Sequence, residues 1–226
     1  MKIIARIKND FKEKFGIPRQ SGIADSFLST IVFEQEYRVK EALRGIEGYS
    51  HLWLIWEFSE SKRDTFSPTV RPPRLGGNKR MGVFATRSPF RPNPIGLSSV
   101  RLLEVKDTEH CGTVLIISGA DLLDGTPIYD IKPYLPFTDC HPDATGGFAD
   151  EVKDYSLPVE FPDNLLELID GSKREGLMKL LSNDPRPSYK PDGDRIYTFL
   201  YSNYEISFKV DGGKLSVTGV ETKSNS

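Results

Sequence analysis

Residues 71–100 restrict the fold more than any other part of this sequence. The stretch reads RPPRLGGNKRMGVFATRSPFRPNPIGLSSV and contains five prolines and four glycines. Proline fixes φ and lacks a backbone donor, whereas glycine adopts conformations closed to other residues. A helix or a central strand cannot run through most of such a stretch. We therefore expect a long, stiff, irregular connection, and connections of this kind in compact domains are usually functional.

The same stretch carries a concentrated positive charge. Between residues 71 and 101 lie seven basic residues, six of them arginine, and no Asp or Glu. The whole chain has a net charge of −2, so the remainder carries −9. A basic segment on an acidic body creates a local positive field, and arginine binds phosphate through two parallel hydrogen bonds. The alternative is a solvated loop whose charge is balanced by neighbouring parts of the fold.

The composition is that of a soluble globular protein, with 38% hydrophobic and 27% charged residues. The longest apolar run, residues 52–56, is too short to cross a membrane. Basic residues interrupt the N-terminal apolar run before a signal-peptide core can form, so we expect a cytoplasmic protein without a membrane partner. Cys111 and Cys140 are the two cysteines, and they form no CxxC pair, so no metal site is expected.

Short β-rich runs separated by turn residues predict a mainly β fold. The runs are 3–7, 29–33, 51–58, 81–86, 97–105, 113–118 and 128–133. Residues 51–58 (HLWLIWEF) are apolar at most positions and indicate a strand buried on both faces. Apolar residues at helical spacing predict a helix over 36–46. The spacing of the runs favours an antiparallel barrel over alternating strands and helices.

The character of the sequence changes near residue 150. We therefore predict a β-barrel domain over residues 1–150 and a small α+β domain over residues 151–226. The second domain is expected to have two short helices, at 165–169 and 177–181. It is also expected to have a three-stranded meander at 195–201, 205–210 and 214–220, with a hairpin turn at Asp211-Gly212-Gly213.

Several common catalytic and cofactor motifs are absent from the sequence. No GxGxxG follows a strand, and no phosphate-binding P-loop, zinc-deaminase signature or GxSxG motif occurs. The sequence therefore contains no fingerprint of the dinucleotide-binding (Rossmann) fold and no obvious nucleophile–base pair. Any catalysis by this chain has to depend mainly on positioning.

Five segments together resemble the TsaA-like (TrmO/YaeB) family of tRNA methyltransferases. They are residues 71–100, FGIPRQSGI (15–23), GYSHLWLIWEF (48–58), DLLDGTPIYDIKPYLPFTD (121–139) and NDPRPSY (183–189). The resemblance implies a small antiparallel β-barrel that binds S-adenosylmethionine (SAM) without a Rossmann fold, in a homodimer with the cofactor sites near the subunit interface. It also implies methylation of the exocyclic N6 of threonylcarbamoyl-adenosine at position 37, beside the anticodon of threonine tRNA.

The resemblance assigns cofactor contacts residue by residue. They are Pro18, Arg19, Gln20, Ser59, Glu60, Arg87, Leu97, Leu123, Asp124, Gly125 and Thr126. SAM carries a carboxylate, which an arginine can pair with, and an ammonium, which Asp124 can accept from. Family members often have His at the position of Ser59, so contact through this shorter side chain is expected to be weaker. Without the resemblance, Asp124 and its neighbours are an ordinary turn and Leu97 an ordinary strand residue.

Asn93 is the candidate catalytic residue, because its side-chain oxygen can accept from the amine that is methylated; the alternative is that it caps a turn. The candidate contacts to the tRNA anticodon arm are Arg71, Arg74, Lys79, Arg80 and Arg91. Phe84, Phe90 and Tyr134 are candidates to stack on an unstacked base, or else core residues.

Two alternative functions stay open at this point: a SAM-dependent methyltransferase with another substrate, and a non-catalytic barrel that binds RNA or nucleotides.

Overall fold

The structure, a computed structural model, describes residues 1–13, 15–17, 27–61, 65–72, 79–153, 155–186 and 193–223. Most of the N-terminal part is a sheet of six strands. They are β1 (Ala5–Lys8), β2 (Leu28–Phe33), β3 (His51–Glu57), β6 (Ile95–Thr108), β7 (Gly112–Ser118) and β8 (Pro127–Pro133). Two shorter strands, β4 (Thr69–Val70) and β5 (Met81–Gly82), pair separately as an antiparallel ribbon.

The six longer strands close into a ring. Their order is β1-β2-β7-β6-β3-β8, and β8 pairs with β1 to complete the circle. All six pairings are antiparallel. The predicted mainly β fold is confirmed, and the chain crosses from strand to strand through turns and short 3-10 helices.

Alternate residues of the strands fill the inside of the ring. The buried set includes Ala5, Ile7, Ile31, Leu52, Leu54, Trp56, Leu115, Ile117 and Ile128. The indole Nε1 of Trp56 donates to the buried hydroxyl of Ser98 (2.9 Å), which in turn donates to Asp121 (2.5 Å). Gly96 pairs with Trp56 across the strands, and a Cβ at position 96 would overlap the indole ring. This glycine therefore makes room for the largest side chain of the core.

Three local predictions are corrected by the structure. The strand β3 is buried on one face only, because the outer face of a single-layered ring lies toward solvent. Residues 36–46 form no α-helix but parts of three 3-10 helices, Gln35–Tyr37, Lys40–Leu43 and Ile46–Gly48. Gly45, with φ at +88°, interrupts any regular helix there. The run 81–86 is a strand only at Met81–Gly82 and continues as a 3-10 helix, Val83–Ala85.

A single helical turn, α1 (Pro136–Asp139), follows β8 in the N-terminal part. The described C-terminal part contains two helices and a second sheet. Its elements are β9 (Val159–Glu160), α2 (Asp163–Leu166), α3 (Gly171–Ser182), β10 (Gly193–Tyr201), β11 (Tyr204–Asp211) and β12 (Lys214–Thr222). The predicted meander is confirmed as β10-β11-β12, and β9 adds a parallel edge. Gly212 and Gly213 turn the last hairpin with φ at +55° and +76°.

The second hydrophobic core combines this C-terminal sheet and α3 with two N-terminal residues. Phe11 and Phe27 are buried in it, although they come from the connection between β1 and β2. Their rings meet edge to face with centroids 5.0 Å apart, and Phe27 packs on Tyr201 at 5.7 Å. A Cβ on Gly176 in α3 would overlap the Phe27 ring. The connection between β1 and β2 is thus held by the C-terminal core at both of its ends.

Candidate functional site

The strand directions bring the assigned cofactor segments to one end of the ring. We call this the upper end: β3 ends there, at Glu57, and β6 and β8 begin there. The connections 58–94 and 119–126 start or finish at the upper end, as does the chain that follows β1. The described residues Ser59, Glu60, Leu123, Asp124, Gly125 and Thr126 therefore belong to this end, whereas Leu97 lies two residues inside β6 and Arg87 lies within the connection 58–94. Pro18, Arg19, Gln20 and Arg74 lie outside the described residues.

The turn 123–126 is fixed to β1 by backbone hydrogen bonds. The N–H of Gly125 donates to the carbonyl of Ile7 (2.8 Å), and the N–H of Ile7 donates to the carbonyl of Thr126 (3.2 Å). The N–H of Thr126 closes the turn on the carbonyl of Leu123 (3.1 Å). Gly125 has φ at +76°, where a side chain is strained. The main-chain groups of this turn consequently have a rigid orientation.

The carboxylate of Asp124 is directed back into the protein. Its Oδ1 accepts from the backbone N–H of Asn9 (2.9 Å) and its Oδ2 from the Lys12 ammonium (2.7 Å). Its side chain is only 19% exposed. Asp124 therefore anchors the turn to residues 9–12. Its contact with a cofactor stays a prediction.

The residues after β3 are linked to the segment before β6. The N–H of Phe58 donates to the carbonyl of Pro94 (2.8 Å), and the exposed Ser59 and Glu60 follow in a 3-10 helix, Ser59–Ser61. Asn93 is exposed, and its carbonyl accepts from the N–H of Ile95 (2.8 Å). Its role in catalysis and the alternative of a turn cap both stay predictions.

Leu97 lies on the outer face of the ring and is 56% exposed. It pairs with Ile55 on β3 and borders an open depression of about 350 Å³ that also includes Trp53 and Asp139. The Asp139 carboxylate accepts from the backbone N–H of Leu135 (2.9 Å) and from the Trp53 indole (2.8 Å). These two donors lower the pKa of the Asp139 carboxyl, the backbone N–H most strongly. The depression thus has an apolar side and a polar floor.

Tyr129 and Glu57 form a polar pair at the upper end that sequence reasoning missed. Burial and, next, the hydrogen bond to Glu57 raise the pKa of Tyr129 to about 12. The pairing of β3 with β8 shifts register between Ile55 and Trp56, which places Tyr129 in a bulge. No local sequence signal reports such a bulge, because it depends on the partner strand.

The basic residues of the connection 58–94 take different roles. Arg80 donates from Nε to the Thr69 hydroxyl (2.8 Å) across the β4–β5 ribbon and is exposed, as are Arg71 and Lys79. Arg91 is half-buried, and its Nη1 donates to the carbonyls of Val83 (3.2 Å) and Thr86 (2.7 Å). Arg91 therefore stabilises the loop in addition to any contact with RNA, which stays a prediction.

Comparison with known proteins identifies the family. Residues 6–140 match the sequence profile of the tRNA-methyltransferase O N-terminal domain, and residues 154–223 match that of the TrmO C-terminal domain. The chain belongs to the TrmO family. It is a methyltransferase, and the resemblance found in the sequence is confirmed.

Relatives and solved structures agree with this assignment to the TrmO family. An Escherichia coli (strain K12) protein named tRNA (adenine(37)-N6)-methyltransferase is 39% identical over 97% of both chains. A Pseudomonas aeruginosa protein named putative S-adenosylmethionine-dependent methyltransferase RcsF is 41% identical over 86% of this chain and 85% of its own. The crystal structure of TrmO from Pseudomonas aeruginosa superposes with a TM-score of 0.74, 32% identity and 97% of each chain covered. Among the described residues no helix is long and apolar enough to span a membrane.

Proposed function

We propose that this TrmO-family enzyme methylates N6 of adenine 37 in tRNA with SAM as the methyl donor. The observation that supports the proposal is the strand order, which starts the basic connection 58–94 and ends the connection 119–126, with its turn 123–126, at the same end of the ring. Relatives that match this chain along nearly their whole length are named for the same reaction. Basic residues near a cofactor site suit a substrate with a phosphate backbone.

The side chains at the upper end fit SAM by their chemistry. When bound, SAM supplies a methyl group activated by a positive sulfur. Arg87 provides a cation for the amino-acid carboxylate, and Glu60 an anion for the ammonium. Leu97 offers apolar surface to the adenine. The rigid main chain at Gly125 can bind polar edges without a side chain.

We assign to the exposed Asn93 the orientation of the nucleophile. Its amide oxygen would accept a hydrogen bond from the N6–H group and so direct the nitrogen lone pair toward the methyl carbon. Correct alignment of reactants can lower a barrier by roughly 7–11 kcal/mol. The methyl carbon would then pass from sulfur to N6, S-adenosylhomocysteine would leave, and the N6 proton would pass to water without a dedicated base.

We infer further that the substrate is the threonylcarbamoyl-adenosine of threonine tRNA. Its threonyl group adds a carboxylate to an already anionic anticodon arm, and arginines bind carboxylate and phosphate equally well. The residues assigned to the anticodon arm are Arg71, Arg74, Lys79, Arg80 and Arg91. Because tRNA is modified where it is used in translation, the proposal includes a cytoplasmic location.

We also propose a homodimer in which each cofactor site lies near the subunit interface. The support is the outer face of the ring, where Ile95, Leu97 and Ile55 are neighbours on β6 and β3 and the first two are exposed. A contiguous apolar face on a strand pair favours burial against another protein surface. In the same proposal the ring is a small SAM-binding barrel without a Rossmann fold, occupying residues 1–150, and residues 151–226 are the α+β domain.

Mass spectrometry of tRNA tests the function directly. Threonine tRNA from a strain that lacks this gene is expected to lose one methyl group on the modified adenosine at position 37, and the wild-type gene restores it. Calorimetry is expected to show SAM binding to the purified protein. Methylation of a different RNA or small molecule would support the alternative substrate, and absence of SAM binding would support a non-catalytic RNA-binding role.

A further inference from the structure

Two large aromatic rings lie side by side on the surface of the connection 58–94. Phe66 is 58% exposed and Phe84 is 71% exposed. Their ring centroids are 6.4 Å apart and their planes differ by 26°, which is an offset stacked arrangement. Exposed rings of this size are unfavourable in water unless a partner covers them. We propose that this pair, the Phe66–Phe84 platform, stacks on an unpaired base of the RNA substrate.

The backbone beneath the platform is firmly held. Phe66 precedes β4 and Phe84 follows β5, and the two strands pair as a ribbon. The N–H of Val83 donates to the carbonyl of Pro68 (3.0 Å), and the Val83 side chain is buried. The two rings therefore flank a pair of hydrogen-bonded strands, which reduces the entropy lost when a ligand stacks on them.

Arg91 adds a charged group over the Phe84 ring of the platform. Its guanidinium carbon lies 5.6 Å from the centroid of the Phe84 ring, within the range of a cation–π contact. Its hydrogen bonds to Val83 and Thr86 fix it in this position. An immobilised guanidinium beside an aromatic face is suited to a ligand with a flat ring and a negative charge.

The charge around the platform selects the class of ligand. The described stretches on either side, 65–72 and 79–94, contain five basic residues and no Asp or Glu. A nucleotide of single-stranded RNA combines an aromatic base with a phosphate, and proteins bind such strands through stacking on aromatic rings within a basic groove. An apolar peptide would match the two rings but not the positive charge around them. The observations therefore favour an unstacked nucleotide.

This inference rests on the proposed function and adds a recognition element to it. Sequence-specific RNA recognition mostly uses loop bases that are turned out of their stack. Since the platform belongs to the connection that returns to the upper end at Ile95, we assign it a base of the anticodon loop near the methylated adenine. The platform would then position the substrate without touching the reacting atoms.

Phe84→Ala tests the platform with an anticodon stem-loop of threonine tRNA as the probe. We expect the dissociation constant to rise about 5- to 100-fold, which corresponds to the loss of stacking on one base. The slope of log K against log salt should stay unchanged, because no phosphate contact is lost. The combined Arg71→Ala and Arg80→Ala variant should reduce that slope. Phe137→Ala, which removes an 87% exposed ring from α1, is the matched control and should bind like wild type.

Conservative variants separate stacking from simple apolar contact. Phe84→Trp should retain binding, whereas Phe84→Leu should bind as weakly as Phe84→Ala. RNA affinity equal to wild type in Phe84→Ala or in Phe84→Leu would overturn the platform. A Phe84→Ala protein that sediments as a monomer where the wild type is a dimer, with unchanged RNA affinity, would also overturn it, because the rings would then serve a subunit contact. If the wild-type enzyme neither binds nor methylates the RNA, the proposed function fails. If the wild-type enzyme does both and Phe84→Ala binds the RNA with the same affinity, the platform alone fails.

Discussion

The backbone N–H of Asp124 donates a 2.8 Å hydrogen bond to the carbonyl of Phe11, a residue whose ring is buried in the C-terminal core. Residues 9–12 thus connect the turn 123–126 to the C-terminal sheet and α3. Lys173 in α3 pairs with the Asp10 carboxylate, and the N–H of Ser202 donates to the Asp10 carbonyl (3.1 Å). The C-terminal part therefore helps to set the position of a turn assigned to the cofactor.

Phe11→Ala should weaken SAM binding as well as stability. Removal of this buried ring is expected to lower the free energy of unfolding by about 3–5 kcal/mol and to loosen the turn that Phe11 holds through its carbonyl. Leu215→Ala creates a cavity in the same core, away from residues 9–12, and is the control. Calorimetry with SAM at a temperature where both variants are folded should show weaker binding for Phe11→Ala only. Equal SAM affinities of the two variants would mean that packing of Phe11 in the C-terminal core does not affect the turn 123–126.

Gly96→Ala should destabilise the ring. The added methyl group overlaps the indole of Trp56, and such overpacking typically costs about 1–3 kcal/mol in the free energy of unfolding. Gly82→Ala is the matched control, since its Cβ would meet nothing within 4 Å and Gly82 has a negative φ. Urea denaturation followed by tryptophan fluorescence compares the two. Equal stability of both variants would show that the core relaxes around the extra methyl group.

Asn93→Ala should slow methyl transfer without weakening the binding of SAM or tRNA. If the amide orients the nucleophile, its loss is expected to reduce the single-turnover rate about 100-fold, the effect of a misplaced reacting group. Asn93→Asp keeps an acceptor oxygen and should recover part of the rate. A wild-type rate in Asn93→Ala, with unchanged affinities, would remove Asn93 from the mechanism.

The strands could be predicted from sequence because local composition determines them. The runs that became β3 and β7 and the Gly212-Gly213 hairpin depend on neighbouring residues only, and they lie where predicted. One face of β3 was misjudged, because Trp53 and Ile55 are as apolar as the residues that fill the ring. Whether an apolar face is covered depends on the layers of the fold, which a single strand does not report.

In the candidate site, too, local features could be predicted from the sequence and contacts between distant residues could not. The turn 123–126 was recognised from its residues, but its attachment to Asn9 and Lys12 joins positions more than 100 residues apart in the chain. Tyr129 and Glu57 meet through a bulge that depends on strand register. Phe11 carries no local mark of belonging to the C-terminal core. Contacts of this kind arise from chain topology and not from local pattern.

Asp139→Asn should reduce stability at neutral pH, and the difference from wild type should disappear in acid. The pKa of the Asp139 carboxyl lies below its ordinary value of 3.8, first because of the Leu135 N–H and then because of the Trp53 indole. A carboxyl with a lowered folded-state pKa stabilises the protein above its unfolded-state pKa, and the stabilisation is lost as pH falls through the folded value. The unfolding temperatures of wild type and Asp139→Asn should therefore differ at pH 7 and converge below pH 3.8. Asp143→Asn alters an exposed carboxylate nearby and serves as the control. A difference that persists unchanged into acid would mean that Asp139 acts through its shape and not through its charge.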